Sequence, residues 1–267
     1  MADPVPFTSE QIKSLFDLTG KTAIITGGAG FLGRALAKGM ALYGANVVLS
    51  GRTLSTLQAA ADEVNGLGGG KALAVTCDVV DEASVEAMIA KTLERFGQID
   101  IMATCGGIAD RYPAEDFPVD AWQKVMDINV RGTWLCVQKA GKWMIQNKRP
   151  GKIITVGSVR GFLGHPGGYG AYGTTKGAVH LMTKQFATEW AKYKINVNCI
   201  APCIFWTPLT KQVLEDEKLK QIFLSRIPWG RAAIPDDVIG AALYLASAAS
   251  DFVTGTILPV DGGSVGG

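Results

Sequence analysis

What this sequence lacks narrows its chemistry first. It has five cysteines, Cys77, Cys105, Cys136, Cys199 and Cys203, and no C-x-x-C pair. An odd, unpatterned set argues against a disulfide framework or a zinc site, so no metal is expected. Reduced thiols suit the cytoplasm. No stretch approaches the roughly 18 uninterrupted apolar residues of a membrane helix. The longest candidate, 238–249, is short and amphipathic. The first ten residues carry Asp3, Pro4 and Pro6 where a secretory leader would have a basic patch and an apolar run, so no leader is expected. Charge of one sign is lacking too. The formal balance is only +2, which gives no field that points to nucleic acid.

What is present is a rhythm, and 33 glycines to punctuate it. Apolar runs at 22–26 (TAIIT), 46–50, 71–77, 100–104, 152–156, 195–200 and 256–260 read as strands. Helical spacing occupies 31–43, 54–67, 82–96, 121–146, 171–193 and 235–247. Apolar strands alternating with helices imply a parallel sheet covered on both faces. No composition break divides the 267 residues. The expectation is therefore α/β: one doubly wound, Rossmann-type domain over 1–267, with seven parallel strands flanked by helices and 1–17 as an N-terminal extension. The loop 109–120 follows a strand end. So does the longer 201–229, which reads as a substrate lid.

Thr26-Gly27-Gly28-Ala29-Gly30-Phe31-Leu32-Gly33 follows the first strand and opens the first helix. Glycine lets the backbone turn sharply and approach a pyrophosphate, and the helix N-terminus offers unpaired N–H groups and a positive dipole end. Gly27, Gly30, Phe31, Leu32 and Gly33 are thus candidate cofactor contacts, against the blander possibility of a tight turn with no ligand. An NAD site usually carries a carboxylate at the end of the second strand. Here that position reads Ser50-Gly51-Arg52. A guanidinium suits a 2′-phosphate, so NADP(H) is favoured over NAD(H).

Tyr172 and Lys176 are four apart on an expected helix and share one face. A free tyrosine is a poor base near neutral pH. A neighbouring ammonium stabilises phenolate, so the phenol can exchange a proton with an alcohol or a developing alkoxide. Tyr169 is a decoy, because Gly173 stands four residues after it. Ser158 follows the fifth strand and could donate to a substrate oxygen; serine is also an ordinary turn residue. Asn129 sits inside a helical stretch, where asparagine is unfavourable unless its amide is used, a local kink being the alternative.

These residues jointly resemble the short-chain dehydrogenase/reductases, over nearly the whole chain from Leu18-Thr19-Gly20-Lys21 to Val260-Asp261-Gly262-Gly263. The matching motifs are the glycine turn, Asp78 in Cys77-Asp78-Val79, Asn129 in Ile128-Asn129-Val130, Ser158, Tyr172-x-x-x-Lys176, and Pro202 with Thr207. The resemblance implies an NAD(P)-dependent oxidoreductase that interconverts a secondary alcohol and a ketone. Tyr172 would be the general acid/base. Lys176 would support it and hold the nicotinamide ribose, Ser158 would polarise the carbonyl, and Asn129 would hold a water joining Lys176 to solvent. Asp78 and Val79 would lie at the adenine, Gly106 beside the cofactor, and Pro202 and Thr207 at its nicotinamide end. A small-molecule alcohol or ketone would be the partner, and the assembly a homotetramer or homodimer. Residues 15–21 and Glu189-Trp190 resemble the gluconate 5-dehydrogenase and polyol branch. The substrate would then be a polyol, a sugar acid or a cyclic or aromatic hydroxy compound.

Three departures from that pattern stand out. The glycines at 27, 30 and 33 follow the spacing of the larger, extended members, with Phe31 where the short ones usually have glycine. Thr104-Cys105-Gly106-Gly107 replaces the usual Asn-Asn-Ala-Gly. Pro202-Cys203 replaces Pro-Gly. Around the expected pocket, Phe205, Trp206 and Trp229 could cover a substrate or pack the lid. His165 is expected to be a solvated loop histidine, and Arg111 an exposed arginine that could steer an anion. Lyase or epimerase chemistry on the same scaffold, and a non-catalytic nucleotide sensor, are the rival functions. The sensor should have lost Tyr172 or Lys176, and both are kept.

Overall fold

A computed structural model describes residues 8–206, 210, 215 and 217–266. Strand β1 (Thr22–Thr26) is buried at all five positions, so it needs apolar cover on both faces. The pleat supplies it by sending alternate side chains to opposite sides. Ile24 joins Val48, Met102, Ile153 and Val197 on one face, and Ile25 joins Leu49, Ala103, Ile154 and Ile200 on the other. The remaining strands are β2 (Asn46–Gly51), β3 (Ala72–Thr76), β4 (Ile101–Thr104), β5 (Gly151–Val156), β6 (Ile195–Pro202) and β7 (Ile257–Val260). All pairings are parallel, in the order β3-β2-β1-β4-β5-β6-β7. The chain reverses its direction of travel across the sheet between β1 and β4. In such sheets, ligands bind at the carboxyl ends of the strands beside that reversal.

Among the described residues the helices include α1 (Ser9–Ser14), α2 (Phe31–Leu42), α3 (Leu54–Asn65), α4 (Glu82–Phe96), α5 (Val119–Met126), α6 (Gly132–Gln146), α7 (Gly170–Trp190), α8 (Glu217–Leu224) and α9 (Asp236–Ala246). Leu36 and Met40 of α2, Leu57 of α3 and Leu243 of α9 cover the Ile25 face. Val85 and Met88 of α4, Met144 of α6 and Phe186 of α7 cover the Ile24 face.

Four details differ from expectation. The helical stretch at 121–146 is broken by a π-helical turn, Asp127–Arg131, between α5 and α6. Helix α1 lies within the expected extension, where Thr8 and Gln11 cap its first turn reciprocally. Helix α8 lies within the expected lid. Strand β6 runs on to Pro202 because β7 pairs with it that far, Pro202 opposite Val260.

Candidate active site

The carboxyl ends of six adjacent strands carry the candidate residues. Gly27 to Gly33 follow β1, Arg52 follows β2, Asp78 follows β3, Gly106 follows β4, Ser158 follows β5, and Pro202 ends β6. A cavity of about 770 Å³ opens at the opposite ends of the strands. Two of its lysines are paired there, Lys152 with Asp251 at 2.7 Å and Lys21 with Asp100 at 3.9 Å.

The first βα corner is closed by backbone against backbone. Gly27 adopts φ +64°, and a Cβ there would lie 2.8 Å from the Gly106 nitrogen. A Cβ on Gly28 would strike Leu49 of β2 at 2.8 Å, and one on Gly33 would sit 2.3 Å from the Gly27 carbonyl oxygen. The turn therefore lies flush against β2, the loop after β4 and its own helix. Helix α2 begins after Gly30, which makes no side-chain cap, so its leading N–H groups have no capping side chain. The Gly28 N–H donates to the Ser50 carbonyl at 3.0 Å, which fixes the corner beside Arg52. Arg52 is exposed, as is Asp78, and Val79 packs where a Cβ on Gly132 would meet it. Phe31 is 39% exposed at the start of α2 and Leu32 is half-buried. These features fit a dinucleotide: a side-chain-free cradle, an uncapped helix start and an available guanidinium at the neighbouring strand end.

Tyr172 and Lys176 lie one turn apart on α7, and the Lys176 nitrogen stands 5.5 Å from the Tyr172 ring centroid. Lys176 is 5% exposed. Its ammonium donates to the Val156 carbonyl at the end of β5, 2.7 Å away. Asn129 is buried in the π-helical turn with its amide fully used. Its Oδ1 accepts from the Ile108 N–H at 2.9 Å, and its Nδ2 donates to the Ile108 carbonyl at 2.9 Å and to the Thr175 hydroxyl at 3.0 Å. Both readings of Asn129 hold together: the helix is deformed and the amide is employed. Ser158 is buried; its hydroxyl accepts from the Arg160 N–H at 3.2 Å and donates, at 3.5 Å, to the Pro202 carbonyl. Thr207 lies outside the described residues.

Gly107 was not singled out from sequence. A Cβ there would lie 3.2 Å from Asn129 Oδ1 and 3.6 Å from Lys176 Nζ, so glycine keeps clear the space beside both. Thr175, between Tyr172 and Lys176, was missed as well. Its position inside the Y-x-x-x-K stretch was the available signal.

The departures bring neutral groups to the site. Burial pushes the Cys105 thiol up to about 12, only partly offset by Lys176. Burial, with Asp261 adding, pushes the Cys203 thiol up to about 11. Neither is a thiolate near neutral pH. Phe205 is a core residue, whereas Trp206 and Trp229 are exposed. His165 departs from the solvated histidine expected. It is half-buried, its ring stands edge-on to Tyr169 at 5.2 Å, and its Nδ1 accepts from the Gly167 N–H at 3.0 Å. The loop 164–168 folds it back onto that ring.

A second histidine, His180, lies one turn beyond Lys176 and is buried. It packs against Phe162 at 4.5 Å and against Gly157 and Gly161, where a Cβ would come within 2.4 Å of its ring. Its Nε2 has no hydrogen-bond partner among the described residues. Burial first, then Lys176, pushes its pKa down to about 4. The unfolded chain therefore takes up a proton near pH 6.5 that the folded chain refuses until about pH 4, and stability is lost as pH falls through that window. Urea unfolding at pH 7 and pH 5 is expected to show a loss of roughly 2 kcal/mol from this residue. His180→Leu should remove that share of the pH dependence. An identical loss in the variant would refute the assignment.

A family model described as enoyl-(acyl carrier protein) reductase matches residues 28–264. The gluconate 5-dehydrogenase of Gluconobacter oxydans is 39% identical over 251 residues, covering 93% of this chain and 96% of that protein. The crystal structure of a gluconate 5-dehydrogenase from Burkholderia cenocepacia in complex with NADP and tartrate superposes with TM-score 0.90 at 37% identity, covering 95% of this chain and 98% of that one. A short-chain type dehydrogenase/reductase from Mycobacterium marinum gives TM-score 0.90 at 36% identity, over 95% of this chain and 98% of that one. With its seven parallel strands, its glycine corner and its Tyr172–Lys176 pair, the chain belongs to the short-chain dehydrogenase/reductase family and is an NAD(P)-dependent oxidoreductase acting on CH–OH groups.

Proposed function

We propose that this chain oxidises a secondary hydroxyl of a sugar acid, or reduces the matching ketone, with NADP(H) as its preferred cofactor. The observation that carries the reading is the buried Lys176 ammonium beside the Tyr172 ring, next to a corner that no side chain fills. The relatives named for gluconate, and the NADP and tartrate in the Burkholderia structure, support the substrate class and the cofactor.

Gly27, Gly30, Phe31, Leu32 and Gly33 would hold the pyrophosphate, Arg52 the 2′-phosphate, Asp78 and Val79 the adenine end, and Gly106, Pro202 and Thr207 the remainder. The nicotinamide supplies or accepts the hydride. Everything else falls to side chains. The Ser158 hydroxyl donates to the substrate oxygen and orients it. The Tyr172 hydroxyl takes the proton of the alcohol, or returns it to the alkoxide. The Lys176 ammonium stabilises the negative charge on the phenol oxygen and donates to the cofactor ribose. Asn129 holds the route from Lys176 to solvent. The chain acts as one domain with 201–229 closing over the substrate, in the cytoplasm, as a homotetramer or homodimer.

The test follows absorbance of the reduced nicotinamide with sugar acids and keto acids, using NADPH and NADH in parallel. Turnover with NADPH preferred supports the reading; cofactor binding without turnover on any alcohol or ketone favours a sensor. Arg52→Ala is expected to weaken NADPH binding by about 1–3 kcal/mol and leave NADH unchanged. Equal effects on the two cofactors would remove Arg52 from the phosphate site.

A further inference from the structure

Of the nine arginines, Arg34, Arg149 and Arg231 form ion pairs, with Glu63, Asp100 and Asp237. Among the described residues, the other six form none with a carboxylate, and two of these six, Arg111 and Arg160, meet at one ring. The guanidinium carbon of Arg111 stands 4.6 Å from the Tyr169 ring centroid, and that of Arg160 stands 5.9 Å from it. The Tyr169 ring is in turn 6.1 Å from the Tyr172 ring. Two cations therefore converge one aromatic ring away from the hydroxyl that moves the proton.

Arg160 is the better placed of the two. It is half-buried, whereas Arg111 is exposed. Its own N–H donates to the Ser158 hydroxyl, so its backbone is tied to the residue that would orient the substrate oxygen. Its carbonyl faces Gly173 on α7, where a Cβ would lie 3.4 Å away, so the segment carrying Arg160 lies close on the helix of Tyr172. Burial, and then the charge of Arg226, work against its guanidinium. Like charges gathered in a half-buried place without a counterion cost free energy, which an anionic ligand recovers on binding. A cation–π contact with Tyr169 offsets only part of that cost.

We propose that Arg160 is a specificity-determining residue that holds the carboxylate of the substrate, so that the site selects hydroxy and oxo acids over neutral polyols of the same length. The proposal rests on the dehydrogenase reading of the same site. A planar guanidinium matches a carboxylate through two parallel N–H donors, and that of Arg160 stands within cation–π reach of Tyr169.

The test measures binding to the NADPH-loaded enzyme, in which an alcohol ligand cannot be oxidised, by calorimetric titration. D-gluconate and tartrate are compared with D-glucitol, the neutral counterpart of gluconate. Arg160→Gln is expected to weaken binding of the acids roughly 10- to 100-fold and leave D-glucitol unchanged. Arg160→Lys, which keeps the charge and guards against a folding defect, should recover part of the loss. Equal weakening of acid and polyol, unchanged acid binding in Arg160→Gln, or a wild type that binds neither acid would overturn the assignment. Turnover is scored separately. Arg160-dependent acid binding in an enzyme that oxidises no alcohol keeps the carboxylate site and refutes the dehydrogenase reading. Alcohol oxidation with no Arg160-dependent preference for acids does the reverse.

Discussion

Tyr172→Phe is expected to lower kcat by about a hundred- to ten-thousandfold while leaving the dissociation constant of NADPH within a factor of about three. The substitution removes one oxygen and nothing else. The ring keeps its place on α7 beside Tyr169. The helix backbone around it is held by other groups, since Thr175 bonds the Tyr172 carbonyl and Asn129 bonds Thr175. A loss confined to kcat marks a group that acts on the reacting proton and does not bind the ground state. Single-turnover rates and cofactor titration of the same preparation separate the two. A kcat that survives the substitution would end the assignment, and a cofactor affinity that collapses with it would make the hydroxyl a binding group.

Lys176→Met should reach beyond turnover, because the ammonium is engaged on two sides. It lies 5.5 Å from the Tyr172 ring and donates to the Val156 carbonyl at the end of β5. Methionine has similar length and no charge, so the variant keeps volume and loses both interactions. The expected results are a kcat lower by about a hundred- to thousandfold, a weaker cofactor complex, and a fold destabilised by roughly 1–3 kcal/mol because a buried carbonyl loses its donor. Arginine should not rescue it, since a planar fork does not fit where a compact ammonium meets one carbonyl beside Gly107. Full activity in Lys176→Arg would show that charge alone suffices there.

Much of this architecture is legible in the residues. TAIIT, buried throughout, could only be a central strand, and the expected bounds of β1 and α4 match those observed. The corner at Gly27 was readable because three glycines at turn positions between a strand and a helix have few other uses. Harder to read was whatever depends on two segments meeting. Gly107 is informative only once the loop after β4 lies against Asn129 and Lys176. His165 looks solvated until the loop returns it to Tyr169. The pairing of Arg111 with Arg160 across one ring joins residues nearly fifty positions apart, and no local pattern announces it.

The wide turn at Asp127–Arg131 has a consequence for how this chain can vary. One residue more than a regular spiral needs is accommodated there, so α5 and α6 run on as one rod whose two halves are out of phase. Excising a single residue would let the rod heal into a continuous spiral, at the cost of turning one half by about 100° against the other. Asn129 would then aim elsewhere, and the face of α6 that carries Leu135 and Met144 into the core would no longer agree with the one on α5 that carries Val125. Length, as well as the amide of Asn129, is what this stretch must keep.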